Sequence, residues 1–166
     1  MGSSLLSSQE EIGRLYGKYV DTVYRIALMM LKSIPEAEDA TQAAFLQLMT
    51  CAKAFQGEEH IKAWLIVTVK NHCRDVLRSS WLRRRAGYDD IGEIALPDKM
   101  PDYDLWQKVM ALKDKYKLPI YLYYYEGYPS CEIAEMLSVN HGTIRTRLKT
   151  ARKKLKLMLE EETNEQ

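Results

Sequence analysis

Apolar positions recur at helical spacing along most of the chain. From Ile12 to Met30 they fall at Ile12, Leu15, Tyr16, Tyr19, Val20, Val23, Ile26, Ala27 and Met30, a three-and-four spacing that predicts one broad apolar stripe on a long helix. Ser33-Ile34-Pro35 interrupts the stripe. Pro35 suits the first turn of a second helix, where a missing N–H leaves no intrahelical bond unmade. There Ala37, Ala40, Thr41, Ala44, Phe45, Leu48 and Met49 are expected to line one face, with Glu38, Asp39 and Gln42 pointing elsewhere. After the polar loop Gln56-Gly57-Glu58-Glu59, the period returns at Ile61, Trp64, Leu65, Thr68, Val69, His72, Cys73, Val76 and Leu77. These three runs predict a first all-α domain over residues 8–85.

The pattern then lapses. Residues 86–101, AGYDDIGEIALPDKMP, carry two Gly, two Pro and four acids with no sustained period, the composition of a flexible linker. Fully extended at about 3.3 Å per residue, such a segment spans roughly 50 Å. That is enough to let two modules stand well apart. A second helical domain is expected over 102–159. Within it LPIYLYYYEGY, residues 118–128, is rich in tyrosine and favours a strand by propensity alone. No other segment offers a pairing strand, and Pro119 suits a helix start, so a helix ended by Gly127 is expected.

The strongest local signal is YPSCEIAEMLSVNHGTIRTRLKTARKKLKLML, residues 128–159. Ile133, Ala134 and Leu137 make the apolar face of a short helix that starts near Pro129. Ser138-Val139-Asn140 makes a tight turn with Val139 inside, and Asn140 is placed to cap the next helix by accepting a backbone N–H. Ile144, Leu148, Ala151 and Leu155 hold that helix against the first, which is the pattern of a helix-turn-helix. His141, Arg145, Thr146, Lys149, Thr150 and Lys153 then face outward. Early positions of such a helix reach base edges in the major groove, where Arg pairs with guanine and Thr bonds a base or meets a thymine methyl. Arg152, Lys154 and Lys156 lie further along, where contacts go to phosphates.

Charge supports this division. The net charge is only +1, yet His141–Met158 holds seven Lys or Arg and no acid, and Lys62–Arg85 holds seven against Asp75 alone. Two basic segments separated by an acidic one suggest two contacts with a polyanion. The plainer reading is a pair of solvated helix faces.

Residues 128–159 resemble the C-terminal region of extracytoplasmic-function sigma factors, the part that reads the promoter −35 element. The resemblance rests on Glu132-Ile133-Ala134-Glu135, Leu137, Gly142-Thr143-Ile144-Arg145-Thr146-Arg147-Leu148 and Ala151-Arg152, with Leu118-Pro119 and the Tyr123–Gly127 turn before them. It implies −35 contacts from His141, Thr143, Arg145, Thr146, Arg147, Lys149, Thr150 and Arg152. Thr150 departs from the family pattern, in which arginine is frequent there. The first half is similar to the family's other conserved part. Ala37-Glu38-Asp39-Ala40, Gln42 and Phe45 match the helix that docks on the clamp of the polymerase largest subunit, which assigns that contact to Glu38, Asp39 and Gln42; Ala43 stands where a further acid is common. Lys62-Ala63-Trp64-Leu65, Asn71, Asp75 and Arg78 match the segment that melts and reads the −10 element.

Reading one strand needs cations for phosphates and a pocket for an unstacked base. Lys62, Arg74 and Arg78 suit the first task, and Asn71 with the Phe55–His60 loop the second. Trp64 reads as core more readily than as a stacking platform. Arg83–Arg85 either meets upstream phosphates or closes the helix C-terminus.

The resemblance covers roughly residues 9–158. It implies an all-α, two-domain sigma factor with core RNA polymerase (clamp and flap), promoter DNA and a membrane-tethered anti-sigma factor as partners, monomeric when free. A stand-alone helix-turn-helix regulator with an N-terminal interaction domain is the alternative. Such a regulator has no use for the docking helix followed by Trp64–Arg78.

Size and composition fit this reading. The 166 residues are 46% hydrophobic, enough for two modules near the lower limit of independent folding, which gain from partners. Met1–Glu10 has neither a basic start nor an apolar stretch, and no run approaches the length of a membrane span. Cys51, Cys73 and Cys131 form no spaced pair and suit a reducing, cytoplasmic setting. His72 and Cys73 are adjacent and diverge on a helix, so no metal site is expected. No phosphate-cradling loop or nucleophile motif occurs, so neither cofactor nor catalysis is expected.

Overall fold

The computed structural model describes residues 9–85 and 103–165, and the expected linker lies outside them. Those residues are all-α and separate into two compact units.

The first unit is a bundle of α1 (Gln9–Leu31), α2 (Ile34–Thr50) and α3 (Glu58–Arg85), each packed on the other two. Leu15, Tyr19, Val23, Ile26 and Ala27 are buried as the stripe requires, but Tyr16 is exposed and Ile12, Val20 and Met30 are only half-buried. Leu28, Met29 and Leu31, which a single stripe leaves out, are buried. The reason is geometric: α1 has neighbours on two sides, so its last turns are covered over a wider arc than one face. Lys32 ends α1 in the left-handed region at φ 56°, its N–H donating to the Leu28 carbonyl at 2.9 Å, in the manner of a helix C-cap. Ser33 then caps α2, its Oγ accepting from the Glu36 N–H at 3.4 Å, with Pro35 in the first turn as expected.

On α3 the buried line is Ile61, Leu65, Ile66, Val69 and Cys73. On α3 beyond Cys73 no described residue is fully buried, and Leu77, expected inside, is exposed together with Trp81. Met49 on α2 is likewise exposed rather than inside. Around Leu77 the helical period continues after the neighbouring helices have run out, whereas Met49 points to the outer side of α2 while Leu48 beside it is buried. Cys73 sits in the apolar interior, and its burial pushes the thiol up to about 12; at neutral pH it is a small apolar core residue.

The second unit contains α4 (Tyr103–Met110), α5 (Asp114–Tyr124), α6 (Ser130–Leu137) and α7 (His141–Asn164). Its core gathers Trp106, Leu118, Ile120, Tyr121, Leu122, Ile133, Ile144 and Leu148, with the Trp106 and Tyr121 rings edge to face at 6.3 Å. The tyrosine-rich segment is helical, but Pro119 lies inside α5 and does not start it. The helix begins at Asp114, so Pro119 deprives the Lys115 carbonyl of its usual partner, and the burial of Leu118, Ile120, Tyr121 and Leu122 around it holds the helix together. Gly127, at φ 73°, follows the helix end and lets the Tyr128 N–H reach the Leu122 carbonyl at 3.0 Å.

One ionic cluster ties α3 to α1. Glu58, in the first turn of α3, accepts from Lys18 and from the Tyr19 hydroxyl at 3.1 Å, and pairs with Arg14 at 2.6 Å. The hydrogen bonds from Lys18 and then Arg14 hold its carboxyl down at about 2, against 4.5 for an ordinary glutamate. A depressed folded-state value means that the contribution is full above pH 4.5 and is lost as pH falls through about 2. Because Arg14 and Lys18 are half exposed, water and salt screen the cluster. Glu58→Gln should therefore lower the denaturation midpoint at pH 7. The gap to the parent should close between pH 4.5 and 2 and narrow in high salt, as read by urea titration followed by circular dichroism.

Candidate nucleic-acid and polymerase interfaces

The turn between α6 and α7 sets the geometry of the second unit's outer face. Ser138 adopts the left-handed region at φ 54°, and the Val139 N–H donates to the Ala134 carbonyl at 3.0 Å. Asn140 then caps α7, its Oδ1 accepting from the Gly142 N–H at 2.8 Å. Val139, expected inside, is half-buried, and so is Leu155. A Cβ at Gly142 would come within 3.2 Å of that Oδ1, so the glycine keeps room for the cap.

Only Ile144, Leu148 and Ala151 of α7 are buried. Thr143, Arg145, Thr146, Lys149 and Lys153 are exposed; Arg147 and Thr150 are half-buried. Arg145, Lys149 and Lys153 have no carboxylate partner among the described residues, which leaves their charge for another molecule. Thr146 donates its hydroxyl proton to the Gly142 carbonyl at 3.0 Å, so outward it offers lone pairs and a methyl group. The His141 ring nitrogen Nε2 lies 2.8 Å from Ser130 Oγ, bracing the start of α7 on the start of α6.

Arg152 differs from its neighbours. Its guanidinium lies over the Tyr123 and Tyr124 rings at 5.4 and 5.8 Å, a cation–π contact that draws it onto α5. Across α7, Lys154 lies 5.8 Å from the Tyr116 ring.

In the first unit, Glu38, Asp39 and Gln42 are all exposed on α2. Asp39 and Gln42 continue at three-and-four spacing into Leu46 and Met49, which are 59% and 54% exposed. Sequence reasoning missed these two apolar positions. The available signal was the spacing from Asp39, but a methionine beside Leu48 was read as core.

The −10 candidates divide. Phe55 stands edge to face with His60 at 5.2 Å and with Trp64 at 5.7 Å, and His60 Nδ1 accepts from the Gln56 N–H at 3.1 Å, so these side chains fold the loop onto the start of α3. Trp64 is half-buried in this cluster. Asn71, Arg74 and Arg78 are exposed and follow His60 and Trp64 along one stripe of α3. Lys62 falls instead in register with the buried Ile66, Val69 and Cys73, half-buried and apart from that stripe. Lys70, one of the segment's basic residues, is buried, and desolvation followed by repulsion from Arg74 lowers its pKa. α3 includes Arg83–Arg85, whose side chains fall outside the described residues.

Among the described residues no helix is long and apolar enough to cross a membrane, and no three His, Cys, Asp or Glu side chains are placed to hold a metal ion.

A bundle with an acidic outer helix, and a helix-turn-helix with an unpaired basic face, define a DNA-binding transcription protein in two parts. The family Sigma-70 region 2 matches residues 15–83, and the family Sigma-70, region 4 matches residues 103–155. Among curated proteins, the chain is 25% identical to the ECF RNA polymerase sigma factor SigW of Bacillus subtilis over 91% of its own length and 90% of the relative's. It is 29% identical to SigL of Mycobacterium tuberculosis, over 89% and 88%. Among solved structures it matches the sigma factor RpoE of Bartonella quintana, in complex with the anti-sigma factor NepR, at TM-score 0.76 and 18% identity, covering 91% of this chain and 98% of that one. CnrH, in complex with the cytosolic domain of CnrY, matches at TM-score 0.64 and 18% identity, covering 93% and 90%. The chain belongs to the extracytoplasmic-function sigma factors of the sigma-70 family. Its role is accordingly in transcription initiation by RNA polymerase.

The cap can be tested directly. Asn140→Ala should cost about 1 kcal/mol and lower the melting temperature of the second unit by about 4–8 °C, whereas Asn140→Ser should stay close to the parent. Differential scanning calorimetry of the three chains checks this.

Proposed function

We propose that this sigma factor docks on core RNA polymerase through α2, reads the −10 element with the Phe55–His60 loop and the Asn71–Arg78 stripe, and reads the −35 element with α7. The observation that carries the reading is the outer face of α7: Arg145 and Lys149 are exposed and unpaired among the described residues, on a helix whose start is fixed by Asn140. Base contacts belong to Arg145, Thr146, Lys149 and Thr150, with Thr143 and His141 at the entry; Arg147 and Lys154 suit phosphates. Arg152, drawn onto the α5 tyrosines, is placed to position α7 and to reach phosphate only by leaving them. The protein contributes recognition, and the polymerase performs the chemistry.

The acidic start of the exposed α2 face and its apolar end at Leu46 and Met49 support a basic-apolar partner such as the polymerase clamp. The stand-alone regulator is disfavoured, because the family match extends over the first unit as well as the second. NepR and CnrY are the partners in the two solved complexes above, and their example supports an anti-sigma factor as a partner of this chain, which then works in the cytoplasm and is monomeric when released. Residues 86–101 are the proposed linker between the two reading units.

Two substitutions test the polymerase and promoter contacts. Asp39→Arg combined with Gln42→Ala should weaken binding to core polymerase without changing the melting temperature, since neither residue is buried; unchanged affinity in a titration against core enzyme rejects that face. On the DNA side, Arg145→Ala should relax preference at one −35 base at a cost of about 1–3 kcal/mol. Lys154→Ala should weaken binding on every sequence alike. Run-off transcription from a promoter library, compared with binding to duplexes, separates the two effects. Equal and sequence-independent losses would contradict the assignment of bases and phosphates along α7.

A further inference from the structure

The start of α5 and the first three turns of α7 enclose an open groove on the flank of the recognition helix opposite Arg152. Lys115 and Tyr116 form its α5 wall, and Thr143, Arg147 and Thr150 its α7 wall. Two ammonium groups meet at the Tyr116 ring: Lys115 Nζ lies 5.1 Å from its centroid and Lys154 Nζ lies 5.8 Å from it. Lys115, Arg147 and Lys154 have no carboxylate partner among the described residues. Neighbouring Lys117 differs, being buried and paired with Asp114 at 3.3 Å. The tyrosine therefore gathers two like charges, with a third on the facing wall. Like charges repel unless an anion sits among them.

We propose that this groove is a second phosphate-binding site, lined by Lys115 and Arg147 with Lys154 drawn to its Tyr116 wall, which takes the backbone of the DNA strand bordering the groove that α7 enters. Lys115 is the new element. It lies on α5, outside the helix-turn-helix, and no base-reading pattern singles it out. Continuity argues for a nucleic-acid backbone over an acidic protein surface, because Thr143 and Thr146 border both this groove and the base-reading face. The hydroxyl of Thr143 and the guanidinium of Arg147 add donors suited to phosphate oxygens. Placed beside the recognition helix, such a site fixes the rotation of α7 in the major groove and contributes affinity without sequence preference.

The inference rests on α7 being the duplex-reading element, and the experiment separates the two. The full chain and Lys115→Ala are titrated by fluorescence anisotropy against two labelled short duplexes, one carrying a preferred −35 sequence selected from a random pool and one of unrelated sequence, between about 50 and 200 mM salt. Lys115→Ala should bind both duplexes more weakly by the same factor. Its salt slope should fall by about 0.9, which over that fourfold change of salt corresponds to about 3.5-fold less loss of affinity. Lys115→Arg should restore both. If the parent binds neither duplex, the reading of α7 is wrong and the groove falls with it. If the parent binds and Lys115→Ala leaves affinity and slope unchanged, the groove is not a phosphate site. A loss confined to core polymerase binding would assign it instead to an acidic protein surface.

Discussion

The recognition helix is held by a narrow strip. Ile144, Leu148 and Ala151 are its only buried side chains, and burying residues of the size of Ile and Leu contributes about 1.5–3 kcal/mol each. That is enough to seat α7 on α5 and α6, and little enough to leave the remaining arc open to solvent. Everything the second unit offers to DNA depends on this economy of contact. A wider apolar face would have seated the helix more firmly and covered the positions that reach outward. The Asn140 cap and the His141–Ser130 contact act at the end where the strip begins, so they fix the helix where base edges would be met.

Tyrosines on α5 shape the charge on α7. Tyr123 and Tyr124 hold Arg152 on one flank, and Tyr116 lies under Lys154 and Lys115 on the other. Between the flanks, Arg145, Lys149 and Lys153 project with neither ring nor carboxylate partner among the described residues. A uniform basic stripe in the sequence is thus resolved into a central set left to solvent and two flanking sets positioned by aromatic faces. The first unit uses its charges differently. Arg14, Lys18 and Glu58 are spent on joining α1 to α3, and Lys70 is buried, whereas Glu38 and Asp39 stay outside on α2.

Most of the helical layout was legible without a structure. The three-and-four spacing gave three helices in the first unit, the break at Ser33-Ile34-Pro35 with Pro35 in the next turn marked the start of α2, and the Ser138–Asn140 turn marked the helix-turn-helix. These signals are local: a cap, a proline or a period acts within one or two turns of the chain. The errors were of another kind. Met49 and Leu77 carry the core period yet lie outside, and Leu28, Met29 and Leu31 lie inside although they break it. Pro119, read as a helix start, is inside α5 because buried neighbours on both sides of it outweigh its local cost.

By itself, then, the sequence determined which segments are helical, where α2 begins and α7 is capped, and which helix carries the densest positive charge, since these follow from the local order of residues in the chain. Tertiary structure decided how wide each buried arc is and which polar side chains keep their charge for a partner. It exposed Leu46 and Met49 beside Asp39 and Gln42, set Lys62 apart from Asn71, Arg74 and Arg78, and brought Lys154 within reach of the ring that Lys115 flanks. Those outcomes depend on where neighbouring helices end and which faces they cover. A helical period specifies the direction in which a side chain points, but not whether another helix stands there to meet it.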